Sequence, residues 1–223
     1  ALHMLRHMRW WQLVPDVISY NTAISACEKA KRWQEALELL CEIRQRHLAA
    51  DVVSYSATIS AFGKGERWRD ALHMLCEMRH QLVAPNVISY SATISAFEKG
   101  ERWRDALHML CEMRQQQVAP NVISYSAAIS VCEKAERWQE ALDAVRQMSR
   151  WSLAQDVDSC SLVVSACVRA LRWREALAVS CGVQQWQSTC DLASCSATIA
   201  SSEMCGVVST LGKLAKWSLA PEM

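Results

Sequence analysis

The segment Asp16-Val-Ile-Ser-Tyr20 returns as Asp51-Val-Val-Ser-Tyr55, Asn86-Val-Ile-Ser-Tyr90 and Asn121-Val-Ile-Ser-Tyr125. Weaker copies follow at Asp156-Val-Asp-Ser-Cys160 and Asp191-Leu-Ala-Ser-Cys195. Successive starts are 35 residues apart throughout. Tryptophan keeps the same interval at Trp33, Trp68, Trp103, Trp138 and Trp173. A fixed period of this length marks stacked supersecondary units, none of which buries its apolar face alone.

Within one unit the pattern reads helix, short turn, helix. Tyr20, Ala23, Ile24 and Cys27 fall at spacings of 3, 1 and 3 and form one apolar stripe. A turn is expected around Ala30-Lys31-Arg32, and a second stripe is expected from Trp33, Ala36, Leu37, Leu40, Cys41 and Ile43. Pro15, Pro85 and Pro120 are read as the stops before each following unit. The fold class is therefore all-α: an α-solenoid of stacked helix–turn–helix hairpins with a 35-residue period.

The period divides the chain into a partial unit at 1–16, holding a second helix only, and repeats at 17–51, 52–86, 87–121 and 122–156. A degenerate fifth repeat occupies 157–191 and a short degenerate sixth 192–222, with Val208 in the tryptophan slot. Ala1-Leu-His-Met-Leu5 matches Ala71-Leu-His-Met-Leu75, and neither end reads as a polar cap. The expectation is a fragment of a longer array.

Composition agrees. Of 223 residues, 51% are hydrophobic and 21% charged, while glycine (6) and proline (4) are scarce. That suits a globular, helix-rich chain, and no apolar run approaches the roughly 18 residues of a membrane span. The 24 basic and 23 acidic side chains leave a formal charge of +1. Such a balance argues against gripping nucleic acid through bulk positive charge, though not against a few well-placed cations. The eleven cysteines include no Cys-x-x-Cys pair; Cys27, Cys132 and Cys167 share one slot of the period and Cys41, Cys76, Cys111 and Cys181 another, which reads as buried small-hydrophobe duty rather than disulfides or metal. His3 and His7 are four apart but lack the glutamate of a zinc helix, and His73 and His108 share the slot of His3, so no metal is expected. No phosphate loop, nucleophile elbow or paired-carboxylate motif is present, so neither enzymatic activity nor a cofactor is expected of these residues.

The first helices carry another stripe: Ile18, Asn21, Ser25, Lys29, then Val53, Ser56, Ser60, Lys64. It continues as Ile88, Ser91, Ser95, Lys99 and Ile123, Ser126, Ser130, Lys134. An apolar residue, a small polar one, a serine and a cation thus recur on one face. Stacking would align them into a ribbon able to hold an extended polymer.

A 35-residue hairpin opening Val-x-Ser-Tyr-Asn/Ser, with Glu35-Ala-Leu37 in its second helix and Pro-Asp/Asn at its close, resembles the pentatricopeptide repeat family. The resemblance covers nearly the whole chain, most strongly from Val17 to Asp156. It implies binding of single-stranded RNA, one repeat per base. It also implies a base-reading pair in each repeat: Asn21 with Asp51, Ser56 with Asn86, Ser91 with Asn121, Ser126 with Asp156, and Ser161 with Asp191. Ionised aspartate only accepts hydrogen bonds and suits the ring N–H of uracil or guanine, whereas asparagine also donates and suits adenine or cytosine. With the family's use of asparagine for pyrimidine and serine for purine, the pairs spell 5′-UAAGG-3′, the N-terminal end toward the RNA 5′ end.

By the same resemblance Ile18, Val53, Ile88 and Ile123 sandwich bases, and Lys29, Lys64, Lys99, Lys134 and Arg169 meet phosphates. Asp158 in the apolar slot and Cys160 in the tyrosine slot weaken the fifth letter. The implied setting is a mitochondrion or plastid, the task transcript processing, stability, editing or translation, and the protein a monomer that also meets RNA-processing proteins. Structural alternatives stand beside these roles. Asp and Asn are also N-caps, and cations suit helix C-termini. The tryptophans fit packing better than base stacking. The alternative function is a protein-binding scaffold of tetratricopeptide type.

Overall fold

A computed structural model describes residues 15–150 and 157–170, together with Leu153, Arg172, Glu175, Ala176 and Val179. Residues 1–14 of the expected partial unit at 1–16, Trp173, and the short sixth repeat at 192–222 lie outside the described residues. The chain forms two compact units that divide after Val131.

Every described helix begins or ends on the 35-residue beat. First helices are α1 (Val17–Lys29), α3 (Val52–Lys64), α5 (Val87–Ala96) and α7 (Val122–Lys134). Second helices are α2 (Trp33–Gln45), α4 (Trp68–His80), α6 (Trp103–Gln115) and α8 (Trp138–Arg150), followed by α9 (Val157–Arg169). A 3-10 turn, Phe97–Gly100, continues α5. Among the described residues the fold is an all-α solenoid.

The first helices start where a side chain caps them. Asp16, Asp51, Asn86 and Asn121 accept the backbone N–H three residues on, at 2.8, 2.9, 3.0 and 2.9 Å. This satisfies a donor that has no intrahelical partner. The ends are Schellman turns. At the close of α2 the His47 N–H donates to the Arg44 carbonyl and Leu48 N–H to Ile43, both at 3.0 Å. Leu82 and Val83 repeat this on α4, and Gln117 and Val118 on α6. The second helices thus stop about a turn before Pro85 and Pro120, and α2 stops alike where Ala50 stands in the proline slot. Schellman geometry, not proline, ends them.

In the first unit α1 packs on α3 and α3 on α5, while α2 and α4 each rest against the first helices on either side and α6 rests against α5. The expected stripe is fully buried: Tyr20, Ala23, Ile24 and Cys27 in α1. Ile24, Ile59 and Ile94 are inaccessible, each burial contributing about 1.5–3 kcal/mol. In α2 the buried residues are Ala36, Leu39, Leu40 and Ile43. Cys41 is exposed there, as are Cys76 and Cys111, which corrects the reading of that column as core. One step of about 100° past buried Leu40 carries the side chain round to water. Cys27, Cys132, Cys160 and Cys167 are buried.

Polar clamps lie within and between the hairpins. Tyr20 donates to Glu42 Oε1 at 2.9 Å, Arg44 pairs with Glu77, and Arg79 pairs with Glu112 while donating to the Tyr90 hydroxyl at 2.9 Å. Half-buried tryptophans pack as expected. Trp33 lies against Phe62 at 5.9 Å between ring centroids, and the Arg67 guanidinium stands 4.6 Å above it. Trp68 repeats this with Phe97 and Arg102.

Candidate functional site

The first helices leave one apolar side chain each in water. Ile18 is 74% exposed, Val53 55%, Ile88 64% and Ile123 65%. Each is the second helical residue, turned away from the stripe that buries Tyr20 and its equivalents. Four such residues in register form a feature that scattered surface apolars do not.

Val53, Ile88 and Ile123 line a groove of about 410 Å³ in the first unit. Ser56 and Ser91 also line it, as do Asn86 and Asn121. The fold therefore brings two of the sequence-derived pairs, Ser56 with Asn86 and Ser91 with Asn121, together with three of the four apolar residues. Ser60, Ser95 and Glu28 complete the polar part of the wall.

Hydrogen bonds fix what the groove presents. Asn86 Oδ1 accepts from the Ser89 N–H at 3.0 Å and the Ser89 hydroxyl at 3.1 Å. Those two donors orient the amide, so Nδ2 is the atom left for the groove. The Ser89 proton being committed, the 2.7 Å contact between Ser56 and Ser89 hydroxyls makes Ser56 the donor. Ser56 then keeps two lone pairs. The relay recurs from Ser91 to Ser124 at 2.8 Å and from Ser124 to Asn121 Oδ1 at 2.9 Å. Each pair offers an amide donor beside a hydroxyl acceptor. Capping consumes only Oδ1, so a cap and a recognition role coexist in one side chain.

The first pair is built differently. Asn21 Nδ2 donates to both Asp51 oxygens, at 3.1 and 3.3 Å, and Asn21 Oδ1 accepts from Ser54 Oγ at 2.6 Å. Burial pushes the Asp51 carboxyl up, but hydrogen bonds from Ser54 and Asn21 outweigh it and hold the group below its ordinary range. It is an ionised, acceptor-only group at neutral pH. In the fourth pair Ser126 donates to its own helix at the Val122 carbonyl, 2.8 Å away. Asp156 and Asp191 lie outside the described residues, so the fourth and fifth pairs are not assembled here; Ser161 is half-buried on α9.

The cations are exposed but differ in their partners. Lys64 pairs with Glu28 at 2.8 Å, Lys99 with Glu66 at 3.2 Å, and Arg169 with Glu133 in the second unit. Lys29 has no ion-pair partner among the described residues, and Lys134 is exposed. Sequence reading missed the carboxylates. Glu28 and Glu133 each precede a basic residue in sequence, yet the cation each one binds belongs to the next hairpin. Only the recurring Glu-Lys pair hinted at it. No cluster of three metal-ligating side chains occurs among the described residues. No described helix is long and apolar enough to cross a membrane.

A family model described as PPR repeat family matches residues 15–64, 50–99 and 85–134, and one described as PPR repeat matches 123–153. Among solved structures, the pentatricopeptide repeat protein PPR10 in complex with an 18-nt psaJ RNA element is similar at 22% identity and a TM-score of 0.69. That match covers 82% of this chain and 27% of the other. PPR10 from maize matches at 20% identity and a TM-score of 0.75, covering 97% of this chain and 31% of the other. The PPR domain of Arabidopsis thaliana protein-only RNase P 1, in complex with tRNA, matches at 12% identity and a TM-score of 0.71. There the coverage is 82% of this chain and 96% of that domain. This chain spans about a quarter of the first of these proteins. No curated protein matches it in sequence.

Proposed function

Because the chain belongs to the pentatricopeptide repeat family, we propose that it binds single-stranded RNA, one base per 35-residue repeat, with the repeats bounded at 17–51, 52–86, 87–121, 122–156 and 157–191. The observation that carries the proposal is the groove itself. Exposed Val53, Ile88 and Ile123 stand in register, with an amide donor and a hydroxyl acceptor between each neighbouring pair.

A base inserted between Val53 and Ile88 covers apolar surface on both its faces. Its edge meets Ser56 and Asn86. Adenine offers an amino donor beside a ring-nitrogen acceptor, the complement of the Ser56 lone pairs and the Asn86 Nδ2 donor. Ser91 and Asn121 repeat the match between Ile88 and Ile123. At Asn21 and Asp51 the ionised carboxylate accepts the ring N–H of uracil. With Ser126 and Asp156, and Ser161 and Asp191, the carried-over register reads 5′-UAAGG-3′. Phosphates meet Lys29, Lys64, Lys99, Lys134 and Arg169, each within its own repeat. The role is binding; transcript processing, stabilisation, editing or translation in a mitochondrion or plastid, as a monomer or with RNA-processing proteins, would follow from it.

A second reading, a scaffold for a protein segment, draws on the same four exposed apolar residues. Titration of the purified chain with fluorescent UAAGG RNA, a scrambled RNA and the matching DNA separates the two. UAAGG is expected to bind best, and Asn86→Asp with Asn121→Asp is expected to move the preference to UGGGG. Equal weak binding of all oligonucleotides, unchanged by the double substitution, would hand the groove to the scaffold reading.

A further inference from the structure

A carboxylate lines the groove. Glu28, half-buried on α1, accepts at Oε1 from Ser60 Oγ at 2.7 Å and from Lys64 Nζ at 2.8 Å. Both donors belong to the next hairpin. Its second oxygen, Oε2, has no hydrogen-bond partner among the described residues. The arrangement recurs within the second unit, where Glu133 Oε1 accepts from Ser165 Oγ at 3.1 Å and pairs with Arg169.

The level of this carboxylate along the groove is set by helix geometry. On α3 the stripe runs Ser56, Ser60, Lys64, in steps of four residues, or about 6 Å of rise each. In the RNA reading Ser56 meets a base edge and Lys64 a phosphate, so Ser60 stands midway. A nucleotide runs in the same order: base, ribose, phosphate. Glu28 and Ser60 therefore stand at the height of the sugar. Lys64 balances the charge of Glu28, and the Ser60 proton is committed to Oε1. What the dyad has left to offer is lone pairs. The ribose group that can donate to them is the 2′-hydroxyl, which DNA lacks.

We infer that Glu28, held in place by Ser60, accepts the 2′-hydroxyl of the nucleotide bound between the first two hairpins, and so distinguishes RNA from DNA at that letter. The inference rests on the RNA reading, in which Asn21 and Asp51 place uridine there. A carboxylate is the group that takes the ribose hydroxyl in dinucleotide sites as well. The next junction supplies a contrast within the same groove. Gly63 occupies the slot of Glu28 and lies close against α5, where a Cβ would stand 3.3 Å from the Ala96 Cβ. No carboxylate from that slot serves the second nucleotide. Sugar discrimination is then uneven along the strand, strong at the first letter and weak at the second.

The test uses the whole chain and UAAGG RNA in which one ribose at a time is replaced by 2′-deoxyribose. Replacement at the first letter is expected to weaken binding about tenfold, the value of one hydrogen bond to a charged acceptor. Replacement at the second letter should cost several-fold less. A 2′-fluoro group keeps the sugar pucker of ribose but cannot donate, and at the first letter it should cost as much as deoxyribose. Glu28→Ala should abolish the first-letter penalty and leave the second-letter one unchanged. Glu28→Gln keeps a carbonyl acceptor and should restore most of the penalty. Lys64→Gln breaks the same ion pair but leaves the carboxylate; it should weaken ribose and deoxyribose strands together and preserve the penalty.

A first-letter penalty that survives Glu28→Ala overturns the assignment, as does full binding of the 2′-fluoro strand. Equal erasure by Glu28→Ala and Lys64→Gln also overturns it, because the clasp then acts only as a staple between hairpins. If UAAGG is preferred to scrambled RNA but deoxyribose at the first letter costs nothing, only this assignment falls. If a Glu28-dependent preference for ribose persists without any base preference, the base reading falls and the sugar contact stands.

Discussion

The hydroxyls of Ser56 and Ser89 lie 2.7 Å apart, joining the floor of the groove in one hairpin to the N-cap of the next. Ser56 is 6% exposed and Ser91 7%, so the conformation of each depends on this contact rather than on water. Ser89→Ala removes the acceptor and frees the Ser56 proton to point into the groove. A hydroxyl that donates as well as accepts no longer distinguishes the edge it meets. Adenine preference at the second letter is expected to relax, with a stability loss of about 1 kcal/mol for the lost hydrogen bonds. Oligonucleotide titration beside chemical denaturation checks both. An unaltered adenine preference would remove the relay from the recognition mechanism.

Asn86 caps α5 through Oδ1 alone. Aspartate supplies the same acceptor, so Asn86→Asp is expected to change stability by less than about 0.5 kcal/mol, whereas Asn86→Ala should cost about 1 kcal/mol. The pair of substitutions separates capping from base recognition. Urea midpoints measure the first and oligonucleotide preference the second.

The helices and their buried stripe were legible in the sequence because burial on a helix is periodic, and a 35-residue period prints it repeatedly. Tyr20, Ala23, Ile24 and Cys27 are buried as their spacing requires. The exposed ribbon followed from what the stripe excluded. What stacking creates was not legible. Glu28 meets Lys64 only because adjacent hairpins come into register, and nothing local to Glu28 signals it. Cys41 was misplaced because an apolar residue beside a stripe reads as part of it. The helix stops were misassigned because their signal, a left-handed residue, is carried by side chains that do not advertise it.

Leu82 and Gln117 hold φ of 57° and 58°, and Leu82 is almost wholly exposed. These are the positions after the C-cap where glycine costs least, and a side chain there carries about 1 kcal/mol of strain. Leu82→Gly and Gln117→Gly are each expected to raise stability by about 0.5–1 kcal/mol, somewhat less than the strain because glycine also frees the unfolded chain. Denaturant unfolding of the single and double variants reads this directly. A loss on both would show that Leu82 and Gln117 make compensating contacts.

Exposed Cys41, Cys76 and Cys111 and buried Cys132 and Cys167 give two classes of thiol. Burial pushes the Cys132 thiol up to about 12 and the Cys167 thiol up to about 11, with Glu140 and Glu175 adding in the same direction. Thiolate is the reactive form. Native alkylation followed by peptide mapping should label the exposed three at mildly alkaline pH and leave Cys132 and Cys167 unmodified until the chain unfolds. Early labelling of Cys132 would show that α7 opens on its own.

Asp51 carries a pH signature. Its folded carboxyl sits below the ordinary value of 3.8 because bonds from Ser54 and Asn21 outweigh its burial. A depressed folded pKa means that its stabilisation is complete above the unfolded value and is lost as pH falls through the folded one. Asp51→Asn keeps the cap acceptor and removes this dependence. The stability difference between wild type and Asp51→Asn should therefore be constant from neutrality down to about pH 4 and shift only below it. The same substitution replaces an acceptor-only group by one that donates, so the first letter should move from uracil to cytosine. Cytosine selection without the acid-limb change would separate Asp51 recognition from its stability role; the acid-limb change without cytosine selection would leave Asp51 a cap and nothing more.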